Sequence, residues 1–161
     1  ILPEDDAQSL HDRLACLGAR LAGQAIDLLR ANAWQPRPQD HSRATYAPML
    51  KKEDGLIDWR NDAPSIERKI RGMRPWPGTY TFSEGQRLMI HRARLWQHEG
   101  EAAPGTILEV SPEGILTATG RGALLITEVQ LEGKKRMTAA EFLRGHALHA
   151  GMGFACSHAE S

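Results

Sequence analysis

The spacing of the apolar residues changes once along the chain, and this change limits the fold more than any other feature of the sequence. Before residue 33 apolar residues recur every three to four positions, which is the period of an amphipathic helix. These positions are Leu10, Leu14, Leu17, Leu21, Ala25 and Leu28. Beyond Pro77 the period becomes two, as in strands with one buried face. The two patterns together predict an α+β chain.

The first predicted helix runs from Asp6 to about Asn32. Asp5 or Asp6 can cap it, because a carboxylate stabilises the positive end of a helix. Gly18 and Gly23 interrupt the apolar run, and glycine weakens a helix interior. The segment therefore predicts either one long helix or two helices that meet near Gly18.

A stretch without periodicity follows, PRPQDHSRAT at residues 36–45, and it predicts a linker. After a short mixed segment, Asp62 is placed to cap a second helix, and Pro64 suits its first turn. Pro75 should end this helix, because proline cannot continue the hydrogen-bonding pattern. A charged helix is therefore expected between Asp62 and Pro75, with Ile66, Ile70 and Met73 on one face.

Five runs with the two-residue period come next, separated by turns rich in glycine, serine and proline. They are Thr79–Phe82, Arg87–Trp96, Gly105–Val110, Ile115–Thr119 and Ala123–Leu131. Thr138 and Glu141 have the spacing of a capping box at the start of a last short helix. We expect a helical N-terminal remnant plus a small OB-like antiparallel β-barrel with short flanking helices.

The total charge of the chain gives no indication of a binding partner. Twenty Lys and Arg residues balance twenty Asp and Glu residues, and residues 62–154 have twelve against ten, a net of +2. Any binding of nucleic acid must therefore depend on local clusters of cations. This neutrality leaves open a protein-interaction barrel that binds no RNA.

The remaining global features point to a cytoplasmic protein without a membrane span. No apolar run approaches the roughly 18 residues that a spanning helix needs, and the first residues are acidic, unlike a signal peptide. Cys16 and Cys156 lie far apart and outside any CxxC pair, which favours free thiols in a reducing compartment. The first residue is Ile1, so we expect the chain to begin inside a longer or processed product.

Several segments carry a resemblance to a known family. They read SLHDRLACLGARLAGQAIDLL, YAPMLKKEDGLIDW, IERKIRGMRPWPGTY, PGTILEV, GILTATGRGALLITEVQLEGKKRM and TAAEFLRG. In this order they resemble the C-terminal half of the methionyl-tRNA formyltransferase family. Related folate-dependent or sugar-nucleotide formyltransferases share parts of this pattern and are the alternative.

The resemblance implies a division of the chain and of the labour within the whole enzyme. It implies terminal helices of the formyltransferase domain at 1–33, a linker at 34–61 and an OB-like tRNA-binding domain at 62–154. The tail at 155–161 has no pattern, which predicts disorder. The family's catalytic residues precede this region, so no catalytic residue, cofactor or metal site is expected here. The whole enzyme (EC 2.1.2.9) would transfer a formyl group from 10-formyltetrahydrofolate to initiator methionyl-tRNA. The leucines of the first helix would be exposed and favour dimerisation.

Three groups of cations are the candidate contacts with nucleic acid, since phosphate contacts supply most of its binding energy. The resemblance carries over Lys52 as a phosphate contact. The alternative is that these residues are ordinary surface charges. The candidates are Lys51 and Lys52, then Arg68, Arg71 and Arg74 on the second helix, and Lys134, Lys135 and Arg136 in the turn before the last helix.

Three aromatic residues, Trp59, Trp76 and Tyr80, can either stack on bases or pack in the core. We favour packing, and expect Trp76 to seal the second helix against the barrel. His146 and His149 are three residues apart, but no third ligand lies nearby in sequence, so a metal site is not expected there.

Overall fold

A computed structural model describes residues 1–155, which divide into the compact unit Ile1–Leu50 and a second unit that begins at Lys51. One uninterrupted helix, α1 (Ala7–Arg30), forms most of the first unit. Asp6 caps it by accepting a hydrogen bond from Ser9 N at 2.8 Å. The single-helix alternative is therefore correct, and Gly18 and Gly23 lie inside it.

The leucine face of α1 is exposed, and no residue of the helix is buried. Leu14, Leu17, Leu21 and Leu28 are all accessible to solvent, as is the free thiol of Cys16. Within residues 1–155 no helix has both the length and the apolar character required for a membrane span. The predicted disordered tail is wrong at its first residue, because Ala155 pairs with Phe82, and residues 156–161 lie outside the described residues.

The second unit joins two short helices to an antiparallel sheet. Its elements are α2 (Ala63–Gly72), β1 (Thr79–Ser83), β2 (Gln86–Trp96), β3 (Ile107–Ser111), β4 (Gly114–Ala118), β5 (Ala123–Leu131), β6 (Met137–Thr138) and α3 (Ala139–Leu143). The strands follow the order β1-β2-β5-β4-β3, and β6 pairs with the C-terminal part of β5. The predicted α+β class and all five strands are confirmed, and the two-residue strand β6 is an addition.

Both helix starts in this unit follow the local signals in the sequence. Asp62 accepts a hydrogen bond from Ser65 N at 2.8 Å, and Pro64 lies in the first turn of α2. Thr138 and Glu141 form the predicted capping box at α3. These side chains satisfy backbone N–H groups that have no partner within the helix.

The sheet is barrel-like but not closed. Its edge strands β1 and β3 do not pair with each other within residues 1–155; instead the segment 152–155 contacts both edges. Ala155 exchanges two backbone hydrogen bonds with Phe82, at 2.9 and 3.1 Å. At the other edge Ile107 N donates to Met152 O at 2.7 Å. This segment thus fills the gap that separates the two edges.

The core lies between α2, α3 and the inner face of the sheet, and Trp59 is its largest side chain. The indole is 1% exposed, donates from Nε1 to Thr81 Oγ1 at 3.0 Å, and stacks on Phe154 with ring centroids 5.7 Å apart. The prediction that Trp59 packs in the core is confirmed.

The same prediction for Trp76 is wrong, because its side chain is 55% exposed. Arg74–Pro75 and Trp76–Pro77 are both cis peptides, and Gly78 N closes the loop by donating to Met73 O at 2.8 Å. Pro77 and Gly78 are the buried residues of this loop, so the ring beside them faces solvent.

Candidate nucleic-acid interface

The turn between β5 and β6 carries Lys134, Lys135 and Arg136 and is called the basic turn. Side-chain hydrogen bonds hold its conformation. His91 Nε2 lies 2.8 Å from Gln130 Oε1, and Gln130 Nε2 donates to Lys134 O at 2.8 Å. Burial lowers the pKa of His91, which favours the neutral ring, and the hydrogen bond to Gln130 Oε1 opposes this shift. A neutral imidazole with its proton on Nε2 can donate to the Gln130 amide oxygen.

All three cations of this turn are exposed, but they differ in their electrostatic surroundings. Arg136 donates through its guanidinium to the Glu128 carboxylate, with Nε at 2.6 Å. Glu128 also lies 3.6 Å from Arg92 Nε. Much of the charge of Arg136 is therefore compensated, whereas Lys134 and Lys135 are exposed.

The arginines of α2 do not form one cluster. Arg68 donates to Ser65 Oγ at 3.1 Å. Hydrogen bonds from Ser65 are the main cause of the lowered pKa of Asp62, and the charge of Arg68 adds to it. Arg71 is in an ion pair with Glu67 at 2.6 Å. Arg74, beyond the end of α2, is instead near His91, since its charge contributes to the lowered pKa of that ring.

Charges from two predicted groups act on His91. Its pKa is lowered chiefly by burial, and the charges of Arg136 and Arg74 add to this effect. Arg68 instead contacts Ser65.

Lys51 and Lys52 lie on a separate turn that is fixed by its backbone. Residues Lys52–Gly55 form a 3₁₀ helix, and Lys51 N donates to Asp54 Oδ2 at 2.7 Å. Both lysine side chains are exposed. A Cβ added at Gly55 would lie 2.2 Å from Gly78 O, so this turn packs directly against the loop that carries Trp76.

Lys69 holds the same turn and was not among the predicted site residues. Its Nζ donates to Leu56 O at 2.6 Å, and burial lowers the pKa of this amine while Asp54 and Asp58 act in the opposite direction. Nothing in the local sequence distinguishes Lys69 from its charged neighbours. The sequence also gives no signal for the contact between His91 and Gln130, because only the register of β2 and β5 brings these residues together.

The third aromatic candidate, Tyr80, is half-buried, and one face of its ring is covered. The Arg87 guanidinium carbon lies 3.8 Å from the ring centroid, a cation–π contact. In the described part of the chain, no group of three or more His, Cys, Asp or Glu side chains is placed to hold a metal ion.

The role of Gln130 in holding the basic turn leads to a first prediction. Gln130→Leu removes the hydrogen bonds to His91 and Lys134 O, so we expect the free energy of unfolding to fall by about 0.5–1.5 kcal/mol. Backbone amides of residues 132–136 should exchange with deuterium faster. Hydrogen exchange measured by NMR tests this, with Gln86→Leu at an exposed strand position as the matched control. Unchanged exchange in the turn would show that the amide does not order it.

Comparison with known proteins identifies the family. The model of the formyl transferase C-terminal domain matches residues 49–147. The chain is 50% identical over 149 residues to the methionyl-tRNA formyltransferase of Geobacter sulfurreducens, covering 92% of this chain and 46% of the relative. Identity to the enzyme of Geotalea daltonii is 46% over 149 residues, covering 92% and 47%. The chain thus spans about half the length of the curated relatives it matches.

Solved structures agree on the fold. A variant of HypX from Aquifex aeolicus superposes with a TM-score of 0.58 at 21% identity, covering 77% of this chain and 22% of that chain. HypX in complex with tetrahydrofolic acid gives a TM-score of 0.55 at 21% identity, covering 73% and 21%. The match of the family model extends over more than half of the chain and includes the basic turn, α2 and the Trp76 loop. As the sequence resemblance predicted, this chain belongs to the formyl transferase C-terminal domain family.

Proposed function

We propose that this chain is the tRNA-binding part of a methionyl-tRNA formyltransferase. The observation that carries the proposal is the turn after β5, where the bond from Gln130 to Lys134 O fixes the backbone and two lysines remain exposed. A fixed turn loses little conformational entropy when it binds, so its cations can act on phosphates at low cost. The names of the relatives support this choice over related folate-dependent and sugar-nucleotide formyltransferases.

The complete enzyme would transfer a formyl group from 10-formyltetrahydrofolate to initiator methionyl-tRNA (EC 2.1.2.9) in the cytoplasm. In this proposal the present chain contributes affinity for the tRNA through its OB-type barrel and transfers no formyl group alone. Lys51, Lys52, Lys134 and Lys135 are the main phosphate contacts. Arg136 and Arg71 contribute less, because Glu128 and Glu67 already pair with them. Dimerisation through the exposed face of α1 stays a prediction.

Binding of initiator tRNA at different salt concentrations tests the proposal. Four phosphate contacts give a slope of about −3 in a plot of log K against log salt, so affinity should fall about 50- to 150-fold between 50 and 200 mM KCl. Fluorescence anisotropy with end-labelled tRNA measures this. Heparin is the control polyanion. Equal affinity for heparin and tRNA, or no binding at 50 mM KCl, would instead favour an interaction barrel that does not recognise RNA.

A further inference from the structure

The loop 74–78 presents the Trp76 ring to solvent on a rigid support. The hydrogen bond from Gly78 N to Met73 O closes the loop, and a Cβ at Gly55 would lie 2.2 Å from Gly78 O. A Cβ at Gly78 would lie 2.6 Å from Met89 Cε, so the loop is also packed against β2. An exposed ring on a fixed backbone has few conformations to lose on binding, which favours its use as a contact.

The charges near this ring indicate which kind of molecule it contacts. Arg74 precedes it on the loop, and Lys51 and Lys52 lie on the turn that packs against Gly78. The same turn also carries Glu53 and Asp54, which offset part of this charge, and Asp54 accepts a hydrogen bond from Lys51 N. An aromatic ring flanked by cations is the arrangement that binds unpaired nucleotides, since bases stack on the ring and phosphates contact the cations.

The other aromatic candidates are less suited to this role. Trp59 is buried, and Arg87 covers one face of Tyr80. Trp96 is 52% exposed, but it is the last residue of β2 and does not lie on the closed loop that packs against the turn of Lys51 and Lys52. Trp76 is thus the aromatic residue of this unit that combines exposure, a rigid loop and nearby cations.

We propose that Trp76 is a base-binding residue whose indole stacks on an unpaired base of a single-stranded RNA segment, with Arg74, Lys51 and Lys52 facing the adjacent phosphates. The inference rests on the proposed tRNA binding and assigns one contact within it. Stacking of one base on an aromatic ring is worth about 1–3 kcal/mol, which corresponds to about a 5- to 150-fold change in affinity.

Two RNA probes of equal charge separate stacking from phosphate contacts. Trp76→Leu should weaken binding of a single-stranded dodecanucleotide by about 5- to 150-fold and leave a blunt-ended duplex within about twofold. The salt slope should not change, because no cation is removed. Trp76→Phe should have an intermediate effect. Trp96→Leu, the same substitution at an exposed tryptophan, should affect neither probe.

A fluorescence measurement tests the contact without removing the ring. In a Trp34→Phe and Trp96→Phe background the remaining tryptophans are Trp59, which is buried, and Trp76. Single-stranded RNA should quench the emission, whereas the duplex should not.

The outcomes distinguish this inference from the proposed function. Absence of quenching, or equal weakening of both probes by Trp76→Leu, overturns the stacking contact. If the lysines of the basic turn are still needed for tRNA binding in that case, the proposed function stands. If the unmodified chain binds no RNA, both fail.

Discussion

Replacing Trp59 by alanine is expected to lower the free energy of unfolding by about 3–5 kcal/mol, the usual cost of removing a large buried aromatic side chain. The substitution creates a cavity beneath the sheet, removes the stack on Phe154 and leaves Thr81 Oγ1 without the Nε1 donor. Urea denaturation followed by circular dichroism measures the change. This loss is a large fraction of the about 5–15 kcal/mol of stability that a small domain has.

Two control variants separate the parts of this effect. Trp59→Phe keeps an aromatic ring but loses the hydrogen bond, so we expect a smaller loss of about 1–3 kcal/mol. Trp96→Ala removes an indole that is 52% exposed, and the expected loss is below about 0.5 kcal/mol. If Trp59→Ala cost no more than Trp96→Ala, the core would not be centred on this residue.

Reversing the charge of Lys51, Lys52, Lys134 and Lys135 together is expected to raise the Kd for initiator tRNA about a thousandfold at 0.1 M salt. Each phosphate contact contributes about 0.7–0.9 to the magnitude of the negative slope of log K against log salt. Loss of four contacts should therefore reduce that magnitude by about 3. The substitution to glutamate at exposed positions should leave the unfolding midpoint nearly unchanged. Anisotropy titrations at four or more salt concentrations give both quantities.

The two lysine pairs can be compared with a pair matched in charge. Arg94→Glu together with Arg144→Glu changes the net charge as much as either lysine pair, and both arginines are exposed. The Kd for tRNA should rise several-fold less in this control than in the variant with Lys134→Glu and Lys135→Glu. An equal loss in the control would mean that RNA responds to the net charge of the chain and not to the basic turn.

Features that depend on near neighbours in sequence were predictable. The caps at Asp6, Asp62 and Thr138 each involve a residue three positions away, and the structure contains all three. Burial alternates along the first half of β2, as a period of two requires, whereas all five residues of β4 are buried. The pairing of Ala155 was not foreseen, because it depends on Phe82, which is far away in sequence, and β6 is only two residues long, too short to show a period.

The candidate site follows the same division. The basic turn was recognisable from the sequence as a cluster of cations. The hydrogen bond between His91 and Gln130 that supports it was not recognisable, because the two residues are 39 positions apart. The partner of Arg71 is four residues away on one helix and could have been anticipated, whereas Glu128 meets Arg136 only across a turn. Trp76 was misassigned because the burial of Pro77 in its place depends on the packing of the whole loop.

The contacts made by residues 152–155 also determine when the second unit can fold during synthesis. Phe154 stacks on Trp59, and Ala155 pairs with Phe82, so these contacts close loops of more than seventy residues. At the usual 5–20 residues per second, roughly 5 to 20 s separate the synthesis of Trp59 from that of Phe154. During that interval one face of the indole and the free edge of β1 lack these partners. The nascent chain is then exposed to aggregation, and binding of a chaperone to the β1 region would protect it.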